Sequence, residues 1–213
     1  MESKEDIISG SKLDKEGLGH TYEIECQGGN KCFCKKFPKS LIDTNLFKRE
    51  LEILKSKTCE NSVKLFSNFE EDENEVIISE LCDNNLDEIL FQRERGFTSN
   101  EIYDILTELN NSFKYMNENK IIHRDIKLKN IMVNYSDSSH TKFISKLNFY
   151  GLSRFIKSRI KSTKYSRISE YIAPEIYLGK KYGEKTDLWS IGIMIYFMIL
   201  KSFHSIIHHH LIL

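Results

Sequence analysis

The hydrophobic pattern of this chain changes its period near residue 98, and this change limits the fold classes open to it. Earlier stretches favour strands, with a hairpin signal at Gly28-Gly29-Asn30 and a buried-strand pattern over residues 75–80. A short helix among charged residues is predicted around residues 46–54. From Thr98-x-x-Glu101, which matches a capping box, apolar residues recur at helical spacing. The pattern predicts the α+β class, with strands mainly in the first part.

Length and composition exclude other classes. With 213 residues and 40% hydrophobic content the chain can bury the core of one domain, so a disordered protein is excluded. Its 31 basic and 31 acidic side chains give no net charge, and we expect no nucleic-acid partner. The longest apolar run, residues 191–200, is far shorter than the roughly 20 residues that a membrane-spanning helix needs. We therefore expect no membrane span and a buried core helix instead.

The N-terminal residues lack the apolar segment of a secretory signal, which predicts a reducing compartment, cytoplasmic or nuclear. The five cysteines are then free thiols, and their spacing matches no zinc motif. They are Cys26, Cys32, Cys34, Cys59 and Cys82. The histidines at positions 204 and 208–210 have no accompanying carboxylate or thiol, so they predict no metal site.

The sharpest motif follows the capped helix directly and reads Ile122-His123-Arg124-Asp125-Ile126-Lys127-Leu128-Lys129-Asn130. It resembles the catalytic loop of protein kinases, H-R-D-x-x-x-x-N, with the defined positions in register. A charged loop that matches by accident is the alternative, and the register argues against it. The resemblance implies that Asp125 accepts a proton from the substrate hydroxyl, that Lys127 neutralises charge on the transferred phosphoryl group, and that Asn130 holds a metal ion.

Three further segments match protein kinases, and all the matches occur along the chain in the order found in kinases. Lys35 with Glu50 resembles the strand-lysine and helix-glutamate pair. Ala173-Pro174-Glu175 resembles the A-P-E element, and Asp187-Leu188-Trp189-Ser190-Ile191-Gly192 resembles the start of the buried central helix. Each match alone is weak, because a lysine and a glutamate at such spacing are more often solvated charges. Together with the loop they identify the chain as a member of the eukaryotic-type protein kinase family, and Lys127 resembles the serine/threonine branch.

The resemblance covers residues 8–200 and implies a protein-kinase-like two-lobe fold. A β-rich small lobe is expected over residues 8–80 and a partial helical large lobe over residues 84–200, with a hinge at residues 80–83. Residues 201–213 form an atypical tail, because the resemblance stops there and the final helices of the large lobe are missing. We therefore expect a C-terminally truncated domain.

The resemblance also implies the ligands. ATP and Mg²⁺ are the cofactors if the protein is active, and a protein substrate or a regulatory protein is the partner. Ser79 would line the back of the nucleotide pocket, with backbone groups of Glu80 and Cys82 facing the adenine edge. Gly19 would belong to the glycine-rich loop over the phosphates.

The first departure from the family lies where kinases have D-F-G, because this chain reads Leu147-Asn148-Phe149-Tyr150-Gly151-Leu152-Ser153. Without a gap, Phe149 occupies the position of the metal-binding aspartate. With one inserted residue, Asn148 occupies it. Both registers remain open, and neither supplies the carboxylate that Mg²⁺ prefers.

The glycine-rich loop is the second departure. Gly19 survives in the best alignment, but Asp14 and Glu16 occupy the first two glycine positions and bring bulk and negative charge toward phosphates. An alternative register uses Gly17 and Gly19 and puts Tyr22 at the third glycine.

The third departure concerns the strand lysine. If this is Lys35, Phe33 takes the place of a small residue on the same strand face and would partly fill the adenine slot. The alternative register with Lys36 would put Cys34 there and remove the obstacle.

We interpret the chain as a protein kinase-like domain that is catalytically impaired and acts through partner binding. The alternatives are a weakly active Ser/Thr protein kinase that transfers the γ-phosphoryl of ATP to protein hydroxyls, and a non-functional truncated fragment. The basic, serine-rich residues 153–169 predict an exposed mobile segment.

Overall fold

The computed structural model describes residues 7–14, 19–26, 29–55, 59–149, 170–180 and 183–201. The segment at 153–169, residues 15–18 of the glycine-rich loop and the tail from residue 202 onward lie outside the described residues. The predicted α+β class is confirmed, with a β-sheet unit and a mainly helical unit. The first unit contains the first five strands and the first helix, and the second contains residues 59–62 and the described chain from Asp83 onward.

An antiparallel sheet of five strands in the order β1-β2-β3-β5-β4 forms the first unit. Its elements are β1 (Ile7–Asp14), β2 (His20–Cys26), β3 (Lys31–Pro38), helix α1 (Thr44–Lys55), β4 (Leu65–Glu71) and β5 (Asn74–Glu80). The predicted hairpin joins β2 to β3. Cys26 donates its N–H to Asn30 O at 2.9 Å, and Gly29 adopts a φ of 78°, which glycine tolerates without strain.

Strand β3 separates two packed faces because successive side chains point to opposite sides. Cys32 and Cys34 enter a small core that also contains Ile24, Cys26, Val76 and Ile78. On the other face Phe37 packs edge-on against Phe47 of α1, with 5.4 Å between ring centroids. The predicted short helix is thereby confirmed as α1, held to the sheet by an aromatic pair.

The second unit contains a three-stranded antiparallel sheet and the long helices. Its elements are β6 (Asn84–Asn85), α2 (Leu86–Gln92), α3 (Ser99–Glu118), β7 (Ile131–Tyr135), β8 (Phe143–Leu147), α4 (Pro174–Tyr177) and α5 (Lys185–Leu200). The predicted capping box at the start of α3 is confirmed. Glu101 donates its N–H to Thr98 Oγ1 at 3.4 Å, and the Glu101 carboxylate accepts the Thr98 N–H at 2.7 Å.

Helix α5 contains the longest apolar run, and it is only partly the buried helix that the sequence predicted. Met194, Phe197 and Met198 are buried, whereas Leu188 is 66% exposed. Ile199 and Leu200 are also exposed. Apolar side chains therefore lie on several sides of the helix, and the described residues cover only some of them. Among the described helices, none combines the length and apolar character needed to cross a bilayer.

The loop between α2 and α3 lies against the end of α5. Phe97 donates its N–H to Met198 O at 2.7 Å, and a Cβ at Gly96 would stand only 2.6 Å from the same carbonyl oxygen.

We expect Gly96→Ala to destabilise the protein by about 2–3 kcal/mol, because backbone must move to admit one methyl group. Gly192→Ala is the matched control. Nothing lies within 4 Å of its Cβ position, and alanine there favours the helix. Urea unfolding of both variants measures the difference, and equal stabilities would contradict this packing.

Candidate functional site

The loop at residues 121–130 lies between α3 and β7 and ends in a 3₁₀ turn at Leu128–Asn130. Ile126 and Leu128 are buried and fix the loop to the core. The charged residues Asp125, Lys127 and Lys129 alternate with these two anchors. The sequence therefore holds the backbone by apolar burial while the polar side chains remain at the surface of the second unit.

Asp187 near the start of α5 holds the other side of this loop. Its carboxylate accepts the N–H of His123 at 2.7 Å and the N–H of Arg124 at 2.9 Å. Arg124 has a φ of 65°, a left-handed conformation that costs a non-glycine residue free energy. Two charge-assisted hydrogen bonds to a buried carboxylate offset that cost. Asp187 belongs to one of the motifs noted in the sequence, but no sequence pattern predicts its contact with this loop.

Three of the predicted site residues come together in the loop. Asn130 Nδ2 donates to Asp125 Oδ2 at 2.8 Å and to the Asp125 backbone O at 2.7 Å, and Lys127 Nζ lies 3.1 Å from the same Oδ2. Asp125 Oδ1 makes no hydrogen bond within the described residues and can accept one from a substrate hydroxyl. Because Nδ2 faces Asp125, the Asn130 Oδ1 atom points away and is the side that could bind a cation.

His123 joins the loop to the segment that follows β8. Its Nδ1 accepts the Asp125 N–H at 3.3 Å, so its Nε2 carries the proton and donates to Asn148 O at 2.9 Å. Asn148 in turn donates its N–H to Asn130 O at 2.9 Å. Asn148 therefore lies beside both His123 and Asn130.

Phe149 has the opposite environment. Its side chain is buried, with its ring centroid 5.7 Å from that of His123 and 6.3 Å from that of Tyr115. A phenyl ring committed to this packing cannot stand where a metal ligand is needed. Of the two registers left open by the sequence, these contacts favour the one with an inserted residue, in which Asn148 takes the aspartate position. Sequence alone offered no signal for this choice, since it depends on contacts between distant segments.

Asn61 fixes β8 from the other side, and no sequence motif indicates this role. Its Nδ2 donates to Ser145 O at 3.2 Å, its Oδ1 accepts from Asn111 at 3.0 Å, and its backbone O accepts the Leu147 N–H at 2.9 Å. Ser112 also donates to that oxygen. The strand that leads into Asn148 is therefore tied to α3 through one buried amide.

The first unit carries the predicted strand lysine. Lys35 shares a face of β3 with Phe37, and its Nζ lies 5.7 Å from the centroid of that ring. Lys36 points to the other face and pairs with Glu71. Burial lowers the pKa of Lys36, but the hydrogen bond and charge of Glu71 outweigh it and raise that pKa overall. The α1 side of the sheet therefore carries Lys35, and α1 contains Glu50.

Gly19 lies directly before β2 and packs on β3. A Cβ at this position would stand 2.9 Å from Lys36 O and 3.6 Å from Lys35 Cε. The close approach of the two backbones is enough to explain a glycine at position 19, independently of any role of the preceding loop in binding phosphates. Gly19 therefore lies next to Lys35.

The remaining predicted residues lie at the end of β5. Phe33 is half-buried and pairs in register with Ser79, which is buried. Glu80 donates its N–H to Lys64 O at 2.9 Å, so this N–H is not available to a ligand. Cys82 is half-buried in the following segment. Cys34, the alternative neighbour of the lysine, faces the small core, and burial raises the pKa of its thiol to about 11.

Mg²⁺ is the metal that this type of loop implies, and the donor set fits it poorly. The side chains at the two ligand positions are the neutral amides of Asn130 and Asn148, whereas Mg²⁺ prefers anionic oxygen. Asp125 is the carboxylate of the loop, and its Oδ2 is engaged by Lys127 and Asn130. No group of three or more histidine, cysteine or acidic side chains suited to a metal occurs in the described part of the chain.

Comparison with known proteins agrees with this geometry. A family model described as the protein kinase domain matches residues 16–210. The chain belongs to the protein kinase family. Within that family the domain is similar to a cell cycle serine/threonine-protein kinase, CDC5/MSD2, of Saccharomyces cerevisiae, with 30% identity over 203 residues that cover 92% of this chain and 28% of that kinase.

Two further kinases show the same degree of similarity. Serine/threonine-protein kinase 33 of Bos taurus is 33% identical over 160 residues, which cover 72% of this chain and 33% of that kinase. The CDPK-related kinase 1 of Arabidopsis thaliana is 30% identical over 206 residues, which cover 90% of this chain and 35% of that kinase. This kinase domain therefore spans about a third of the length of these relatives.

Proposed function

We propose that this kinase domain is impaired in phosphoryl transfer and acts by binding a regulatory protein partner. The observation that carries the proposal is the position of Asn148, whose carbonyl accepts from His123 and whose N–H bonds to Asn130. Metal ions neutralise charge on the transferred phosphoryl group in protein kinases, and the aspartate of D-F-G is a principal ligand. A neutral amide at this position cannot supply the anionic oxygen.

The supporting residues have separate roles in this proposal. Asp187 and His123 hold the loop, while Asp125, Lys127 and Asn130 keep the arrangement that a protein hydroxyl would meet. Lys35 and Glu50 would position a nucleotide. On this proposal the catalytic loop keeps the arrangement of a serine/threonine kinase and lacks one charge nearby, so that recognition of a protein persists while catalysis fails.

Labelled γ-phosphate tests this proposal. Wild-type protein and Asp125→Asn are incubated with ATP, Mg²⁺ and a generic protein substrate, and incorporation into substrate and into the chain itself is counted. We expect both proteins to give the same background, because the wild type already lacks an essential charge. Strong phosphate incorporation by the wild type that disappears in Asp125→Asn would contradict the proposal.

The second candidate is a weakly active Ser/Thr kinase. The contacts of Asp125 with Lys127 and Asn130, at 3.1 Å and 2.8 Å, favour it, because they orient these groups relative to one another. The same phosphate assay decides between the two. A third reading, a non-functional fragment, requires a loosely packed chain, and a single cooperative melting transition without binding of a hydrophobic dye would contradict it.

A further inference from the structure

Glu75, the second residue of β5, is a buried carboxylate that lies outside the kinase motifs noted in the sequence. Its side chain is 0% exposed, and neither of its carboxylate oxygens makes a hydrogen bond within the described residues. Glu75 lies opposite Phe37 in the register of β3 and β5, so both side chains point to the face of the sheet that α1 covers. An ionised carboxylate in this position costs free energy unless a cation neutralises it.

Lys48 of α1 supplies that cation. Its Nζ lies 3.6 Å from Glu75 Oε1, which is within ion-pair distance but too long for a hydrogen bond. The same Nζ binds Glu70 Oε1 on β4. Because Lys48 is 47% exposed, one side of its ammonium group faces solvent while the other side faces the two carboxylates. This single lysine therefore joins α1 to both β4 and β5.

Other charged groups surround this site on the neighbouring elements. Lys39, which precedes α1, pairs with Glu70 Oε2 at 2.6 Å and donates to Asp72 O at 3.1 Å. Lys35 of β3 lies on the same face of the sheet, with its Nζ over the ring of Phe37. Hydrogen bonds from Lys39 and Lys48 lower the pKa of Glu70 to about 2. Among the described residues, Lys48 is the one cation within ion-pair distance of Glu75.

The balance of these effects favours the neutral form of Glu75. Burial raises the pKa of its carboxyl group, Lys48 lowers it and Glu70 raises it, so the pKa lies above the ordinary value of 4.5. A carboxyl group whose pKa is higher in the folded state than in the unfolded state makes folding less favourable as the pH rises through the folded value. The positive charge of Lys48 limits this loss of stability.

We infer that Lys48 is a positioning residue for helix α1 and acts by neutralising the buried carboxylate of Glu75. When Glu75 is ionised, attachment of the helix to the sheet depends on the lysine, because a charge would otherwise remain unpaired beneath α1. When Glu75 is protonated, this dependence disappears. Helix α1 contains Glu50, so nucleotide positioning would follow the attachment of the helix. Only that last consequence rests on the proposed function.

Hydrogen–deuterium exchange of the full chain tests the inference, because exchange of the amides in residues 44–55 reports local opening of α1. Wild type and Lys48→Met are compared with each other at about pH 7.5 and at about pH 4, which lie on either side of the titration of Glu75. We expect Lys48→Met to accelerate exchange in α1 about tenfold at the higher pH, less than for a fully buried pair because Lys48 is half-exposed. At the lower pH, where Glu75 is protonated, both proteins should exchange at similar rates.

Two further variants separate Glu75 from the other partner of Lys48. Glu75→Gln removes the buried charge, so Lys48→Met added to Glu75→Gln should not accelerate exchange at either pH. Lys64→Met removes an exposed lysine directly before β4 and should exchange like wild type.

The inference is overturned if Lys48→Met protects α1 as well as wild type does at the higher pH. It is also overturned if the loss of protection persists in the Glu75→Gln background, because Lys48 would then act through Glu70 or through packing. The measurement uses no ATP, so a failure of the proposed function leaves its readout unchanged.

Discussion

Replacement of Asn148 by aspartate is expected to create Mg²⁺-dependent nucleotide binding in this kinase domain. The change adds one anionic oxygen beside Asn130 without altering the size of the side chain. An interaction with a charged group is worth about 1.5–3 kcal/mol, and each 1.4 kcal/mol is tenfold in affinity, so we expect ATP affinity in Mg²⁺ to rise roughly 10- to 100-fold. A hundredfold ligand excess over its Kd stabilises the folded state by about 2.7 kcal/mol, which a melting-temperature shift detects.

Two controls sharpen this experiment. Phe149→Asp places a carboxylate according to the ungapped register, and we expect it to lower the melting temperature instead, because it puts a charge among His123 and Tyr115. Omission of Mg²⁺ should abolish the gain of Asn148→Asp. If Phe149→Asp rather than Asn148→Asp gained Mg²⁺-dependent binding, the assignment of Asn148 would be wrong.

Loss of the Asp187 carboxylate is expected to cost about 4 kcal/mol of folding free energy, the sum of two hydrogen bonds to a charged acceptor. Asp187→Ala leaves the N–H groups of His123 and Arg124 without their acceptor and no longer supports the left-handed Arg124. Asp187→Asn should cost less, since one oxygen remains. Asp104→Ala, an exposed aspartate on α3, is the neutral control.

Urea unfolding of these three variants gives the measurement. The expected order of stability is Asp104→Ala nearest to wild type, then Asp187→Asn, then Asp187→Ala. An Asp187→Ala protein as stable as the Asp104→Ala control would show that the loop does not depend on this anchor.

The sequence predicted the parts of the fold that local signals specify. Helix α3 begins directly after its N-cap Thr98, because Thr98 and Glu101, the two members of the capping box, lie only three residues apart, and the hairpin at Gly29 follows from the freedom of glycine. The catalytic loop was recognisable for the same reason, since its defined positions lie within one short segment. None of these features needs a distant contact to be identified.

Strand β4 and helix α2 are among the elements that escaped prediction, each for a physical reason. Strand β4 buries Ser67 and exposes Phe66, so its hydrophobic pattern is inverted and does not alternate as a half-buried strand should. Helix α2 was hidden in a polar connection, although Asn85 caps it and Asp87 and Glu88 occupy its first turn. That combination is a helix-start signal, so helix α2 could have been predicted from the sequence.

Resemblance to the kinase catalytic loop singled out Asp125, Lys127 and Asn130, and the structure places these three side chains together. The choice between Asn148 and Phe149 needed the hydrogen bond of His123 and the packing of Phe149. Likewise Asn61 holds β8 through partners far away in the chain, and no local pattern marks such a residue.

The bond between Asp187 and His123 also sets an order of events during synthesis. The two residues are 64 positions apart, so at ribosomal rates of about 5–20 residues per second the loop waits roughly 3–13 s for its acceptor. Until then the N–H groups of His123 and Arg124 remain with water. The nascent chain therefore contains the catalytic loop early. The loop completes its hydrogen bonds only later, after Asp187 of α5 has been synthesised.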